Sequence, residues 1–201
     1  MRGTFVGVLM VLAAVGCSSL DARYLKAGYD STAAGAVKHI TVVSVAPDVE
    51  LARLLGRIAS ERVKLKMNYL VYDEQIAVPG WSSGCTLDDE NAEQDEDREI
   101  DGVLALQVLE DITADNEVEF TIEGRLMRCR DGALLWRAQV TDSASSNDDD
   151  LESFAESFRD EFPAQAPRAA IPLLVSLIDL LEALPDVVLN EDEEIMKIEL
   201  S

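Results

Sequence analysis

Hydrophobic positions along the chain fall into runs of two different periods. Residues 37–46 (VKHITVVSVA) are dense in β-branched side chains, which predicts a strand; Pro47-Asp48 ends it and opens a helix. Leu51, Leu54, Leu55, Ile58 and Val63 then recur near the helical period, with Arg62, Lys64 and Lys66 toward the C-terminal end, where cations suit the helix dipole. Residues 69–72 (YLVY) begin a second strand that runs toward Val78, before Pro79-Gly80 breaks it. Residues 100–109 (IDGVLALQVL) are nearly continuous apolar sequence, as for a central strand buried on both faces. Val118, Phe120 and Ile122 alternate with acids, so residues 117–129 read as a strand wet on one side. Arg130-Asp131-Gly132-Ala133 supplies a hairpin turn, because Asp-Gly tolerates positive φ, and residues 134–141 (LLWRAQVT) return. Leu151, Phe154, Phe158 and Phe162 mark an amphipathic helix, and residues 168–184 a second, more apolar one. Pro172, Asp179 and Glu182 argue against reading that second helix as a membrane span. The pattern predicts one α/β (α+β) domain at residues 37–189. Its sheet is mixed and mostly antiparallel, with a β-α-β start, a β-hairpin and two C-terminal helices. Residues 190–201 are expected to be a loose acidic tail.

The N-terminus changes the picture. Met1-Arg2-Gly3-Thr4 gives a short positive start, and residues 5–15 (FVGVLMVLAAV) are almost wholly apolar. That is the layout of a bacterial export signal, and the apolar run is shorter than the roughly 20 residues a membrane span needs. Ala14-Val15-Gly16-Cys17 resembles a lipobox, with Ala14 where Leu is usual. This reading makes residues 1–16 a lipoprotein signal peptide and Cys17 the acylated first residue of the mature chain. Residues 17–36, rich in small and polar side chains, become a lipidated tether. Two or more acyl chains, at ~0.8 kcal/mol per buried CH₂, anchor stably to a membrane. Ser18, rather than Asp, after the Cys points to the outer membrane. An ordinary secretory signal with an incidental Cys is the alternative.

Composition narrows function by exclusion. The 201 residues carry 17 Lys+Arg against 39 Asp+Glu, a net charge of −22. Nucleic-acid binding is excluded, because it needs concentrated cations to release counterions from phosphates. So is an anionic membrane surface reached by charge alone. Residues 88–99 (DDENAEQDEDRE) read as a solvated loop. Gly80-Trp81-Ser82-Ser83-Gly84 matches the nucleophile-elbow pattern, but acids follow it and the only His, His39, lies upstream. A Gly/Ser-rich turn is the better reading. Asp95, Asp97, Glu99 and Asp101 superficially suit a calcium loop, yet Ile100 stands where the EF-hand needs Gly. One His and two remaining Cys do not make a zinc site. No cofactor, no metal and no catalytic residue is therefore assigned. Trp81 and Trp136 read as core or rim aromatics. Arg53, Arg57, Arg62, Lys64 and Lys66 are expected to neutralise the acidic loops. Cys85 and Cys129, the pair left once Cys17 is acylated, are expected to form a disulfide in an oxidising compartment.

A resemblance follows from the order of these features: the lipobox Cys17, KHITVVSV, Pro-Gly-Trp before Cys85, IDGVLALQ, LMRCRDGALLW, and an apolar helix with LEALP. Together they resemble an uncharacterised lipoprotein family best represented in myxobacteria and leptospires. In that pattern one Cys precedes the G-V-L strand and another the D-G hairpin, matching Cys85 and Cys129; the acidic insertion at 88–99 departs from it. More remotely, the strand-helix-strand start and the hairpin ending in Trp136 are similar to the curli-secretion lipoprotein and to outer-membrane activators of peptidoglycan synthases. The resemblance implies location and fold, not chemistry. The expected role is a non-catalytic interaction or assembly component of the cell envelope. It would be held at the membrane through acyl chains on Cys17 and would meet an unidentified envelope protein. The alternative is a periplasmic hydrolase using clustered carboxylates.

Overall fold

Parallel strands need a long crossover, and a helix supplies it here. The computed structural model describes residues 19–33, 35–76, 100–114 and 117–200. In chain order these form β1 (Ser19–Leu25), β2 (His39–Val45), α1 (Val49–Lys66), β3 (Leu70–Ile76), β4 (Gly102–Ala114) and β5 (Glu117–Arg128). Then come β6 (Leu134–Ser145), α2 (Glu152–Ser157), α3 (Ala166–Glu182) and α4 (Glu191–Leu200). The six strands make one sheet in the order β1-β6-β5-β4-β2-β3. β2 runs parallel to β3 and β4, and the other three pairings are antiparallel. The chain is a single α+β domain with a mixed sheet, as the hydrophobic pattern predicts.

Local chemistry fixes the elements. Asp48 caps α1 by accepting the Leu51 amide at 2.9 Å, and Lys64 and Lys66 occupy its last turn. Gly132, at φ 66°, closes the β5–β6 hairpin. Beside it, hydrogen bonding to the Arg128 guanidinium, opposed by slight burial and helped by the Ala133 amide, holds the Asp131 carboxyl down to about 2. Helices α1 and α3 cover one face of the sheet: α1 packs on β2 and β3, α3 on β5 and β6, and α2 on α3. Ile40, Val42, Leu104, Leu106, Phe120, Ile122, Trp136 and Val140 point into that layer and are buried. The Trp136 indole donates to the Ala183 carbonyl at 2.8 Å. Trp136 is a core residue. No helix among the described residues is long and apolar enough to cross a membrane.

Four segments differ from the sequence pattern. Within residues 17–36, expected as a tether, Ser19–Leu25 is an edge strand on β6. Its alternation is unreadable because Leu20, Tyr24 and Leu25 are all substantially exposed. Residues 191–200, expected as a loose tail, form α4, which buries none of its own residues and so leaves no apolar stripe to detect. β4 continues to Ala114. Only residues 102–107 lie between β2 and β5, and beyond a bulge the strand pairs with β5 alone. Finally, α2 stops at Ser157, although Phe158 and Phe162 are buried as the stripe predicts. Pro163 disfavours helical geometry at the residue before it, and turns carry the chain into α3.

Candidate functional site

The sheet face away from α1 and α3 holds the most distinctive chemistry. Alternation along β5 sends Val118, Phe120 and Ile122 to the helices and Glu119, Thr121, Glu123 and Arg125 to the other side. Glu123 lies across from Gln107 on β4 and Gln139 on β6, and Arg125 lies across from Arg137. Both guanidiniums close on the Glu123 carboxylate, one on each oxygen. The Glu123 side chain is 2% exposed while Arg125 and Arg137 are 45% and 47% exposed. The acid is thus buried under its own partners. Thr121 and Thr141 pair through their hydroxyls at 3.1 Å one row away. Toward β2 this face is apolar and closed, with Val43 and Val103 buried. The arrangement presents a polar, hydrogen-bonding platform.

A second polar cluster docks α4 at the β3 edge. Lys38 Nζ donates to Glu193 at 2.7 Å, and His39 Nε2 lies 4.0 Å from the other Glu193 oxygen. His39 Nδ1 is 2.6 Å from the Tyr72 hydroxyl, which donates to the Met196 sulfur at 3.1 Å. Lys197 donates to the Met67 carbonyl. Burial pushes the Glu193 carboxyl up, but the Lys38 ammonium, the Asn190 amide and the His39 charge together hold it below the usual carboxylate range. Asp101 accepts the Lys38 and His39 amides at 3.1 Å each. Nearby, the Tyr69 hydroxyl donates to the Pro185 carbonyl at 2.5 Å, and burial pushes its pKa far up.

The residues singled out from sequence are distributed unevenly. Cys17, Trp81, Ser82, Cys85, the acidic loop 88–99 and the calcium-like residues Asp95, Asp97 and Glu99 lie outside the described residues. Cys129, just past β5, is not a free thiol, but with Cys85 outside the described residues the bridge between them stays a proposal. His39 serves the α4 contact. On α1, Arg57 pairs with Glu61 at 3.2 Å and Arg53 lies 5.7 Å over the Phe162 ring. Among the described residues, no three His, Cys, Asp or Glu side chains are placed to hold a metal ion. Several carboxylates are paired with cations: Asp111 with Arg168 at 2.9 Å, Glu193 with Lys38, Asp131 with Arg128, and Glu123 with its two arginines. Asp142 differs: burial raises its carboxyl, the Ser143 amide lowers it, and the charge of Asp179 raises it further. Sequence reading missed Glu123. Its one signal is an acid repeated at the solvent-side positions of a strand whose next solvent-side residue is Arg125.

No family model matches the chain, and no curated protein matches it. None of the comparisons carries the resemblance to the myxobacterial and leptospiral lipoproteins. Lipoprotein GNA1162 from Neisseria meningitidis is similar at 17% identity and a TM-score of 0.37, covering 64% of this chain and 99% of its own. Hypothetical protein CT253 from Chlamydia trachomatis is 15% identical with a TM-score of 0.44, covering 72% and 94%. The PelC dodecamer from Paraburkholderia phytofirmans is 16% identical with a TM-score of 0.50, covering 86% of this chain and 100% of its own. Structural neighbours of this chain thus include a bacterial lipoprotein, and its likeness to PelC is one of fold.

Proposed function

We propose that this protein is an outer-membrane lipoprotein, anchored through acylated Cys17, whose domain acts as a non-catalytic interaction component of the envelope. The observation that carries the reading is the export-type run 5–15 ending in Gly16-Cys17, directly ahead of a fold whose first described strand begins at Ser19. The platform around Glu123 supports a binding role over a catalytic one. A carboxylate with a guanidinium on each oxygen is already engaged by structural partners. The motif order shared with myxobacterial and leptospiral lipoproteins belongs to the same reading, as does a bridge between Cys85 and Cys129. PelC is described as a dodecamer, so a second copy of this chain is one partner to test. Intact-mass measurement of the mature protein from envelopes is the deciding experiment. It should begin at Cys17 and carry added lipid mass, and Cys17→Ala should leave the precursor uncleaved. A product that starts elsewhere, or lacks the lipid, overturns the reading.

A further inference from the structure

The edge formed by β1 differs in chemistry from the rest of this acidic molecule. Among the described residues β1 pairs with β6 alone, so it forms an edge of the sheet. Leu20, Tyr24 and Leu25 are 46%, 46% and 44% exposed along it. Arg23 stands between them and Lys26 follows. Tyr24 is opposite Arg137, which is opposite Arg125. Arg23 and Lys26 thus bring two cations to this edge in a chain whose net charge is −22.

Chain length then limits what this edge faces. Cys17 and Ser19 are two peptide steps apart, about 7 Å at full extension. The interfacial layer of one leaflet is of similar depth, about 5–7 Å, the difference between the hydrocarbon core and the whole bilayer shared over two sides. Acyl chains on Cys17 begin at the hydrocarbon boundary, so Ser19 falls within the headgroup layer and β1 starts there. A strand standing off the membrane would gain nothing from apolar and aromatic side chains at its far end. β1 has Tyr24 and Leu25 there, with cations beside them, the composition that favours the membrane–water boundary.

We propose that the β1 edge is the surface this domain lays on an anionic lipid bilayer. Leu20, Tyr24 and Leu25 enter the boundary, and Arg23 and Lys26 meet lipid phosphates. This rests on acylation of Cys17, which is checked first by intact mass on the same sample. The acylated full-length protein is placed on vesicles of phosphatidylglycerol and phosphatidylethanolamine, with a nitroxide at Tyr24→Cys or, as a distant control, Leu65→Cys on α1, where Leu65 is 73% exposed. Unsubstituted protein carried through the same labelling supplies the background. Relative to the Leu65 label, the Tyr24 label should show several-fold more collision with oxygen and several-fold less with a water-soluble nickel chelate. The contrast should shrink on phosphatidylcholine vesicles; an equal contrast there overturns the anionic part. Equal water access at both positions on acylated protein overturns the surface and leaves the anchor standing. Spin–spin broadening at Tyr24 shows a second copy on the edge instead, and also overturns it. Absence of acyl mass overturns both readings.

Discussion

Glu123 shows how a single charged side chain becomes buried on the polar part of a sheet face. Its cover is the two arginine stems, so the energetics of the trio are lopsided. Removing both arginines leaves a carboxylate held among strand neighbours without counter-charge. Arg125→Ala with Arg137→Ala should cost about 3 kcal/mol in chemical denaturation. Glu123→Gln should cost less, about 1 kcal/mol, because guanidiniums already 45% and 47% exposed re-solvate readily. The reverse ranking would mean the acid is not the desolvated member. On the opposite face, Gly124 makes room for Trp136: a Cβ there would stand 2.9 Å from ring atoms Cη2 and Cζ3 and 3.3 Å from Leu180 Cδ2. Gly124→Ala should lower stability by about 1–3 kcal/mol through overpacking, read from the same denaturation curves. Trp136 was legible as a core aromatic from its place in an apolar strand. Glu123 was not, since alternation tells only that a residue faces away from the helices. What closes over it depends on cross-strand register.

Elements with a buried stripe announced themselves. In α1, Leu51, Leu54, Leu55, Ile58 and Val63 are all buried, and the Asp-Gly hairpin turns where its dipeptide requires. The two elements that were not legible, β1 and α4, lie at opposite edges of the sheet and are held by pairing or by charge. For α4 that basis predicts a pH response. The Glu193 carboxyl is held below its usual value near 4.5, so its contribution is complete above that pH and is lost as pH falls through the lowered value. Nuclear magnetic resonance signals of Glu191–Leu200 should therefore shift toward random-coil positions as pH falls below the ordinary carboxylate range, while those of α1 and α3 stay native. Lys38→Met should shift the same signals at neutral pH. If α4 holds its native shifts in both cases, the Met196 and Lys197 contacts suffice to dock it.

For the molecule as a whole, fold class and the order of the core elements were readable because the core is built from long runs of regular period. The polar platform and the edges were not, because they depend on which strands end up adjacent. Two expectations concern the stretch between β3 and β4. Replacing residues 88–99 with a short Gly/Ser linker should leave the melting temperature nearly unchanged, or raise it at low salt, since eight acids in that stretch repel one another. A large drop would show those carboxylates organised around a cation. The proposed bridge from Cys85 to Cys129 closes a loop for which chain entropy gives about 4 kcal/mol before strain. Protein unfolded without reductant should then react with no thiol reagent, and two reactive thiols would sink the bridge. The topology also sets an order of events in time. β1 has no partner until β6 exists, because Ser19 pairs opposite Thr141. A chain that emerges N-terminus first holds β1 open until about 120 further residues have followed it. Any enzyme that modifies the residues just before Ser19 has that interval to reach them, before the last edge of the sheet closes alongside.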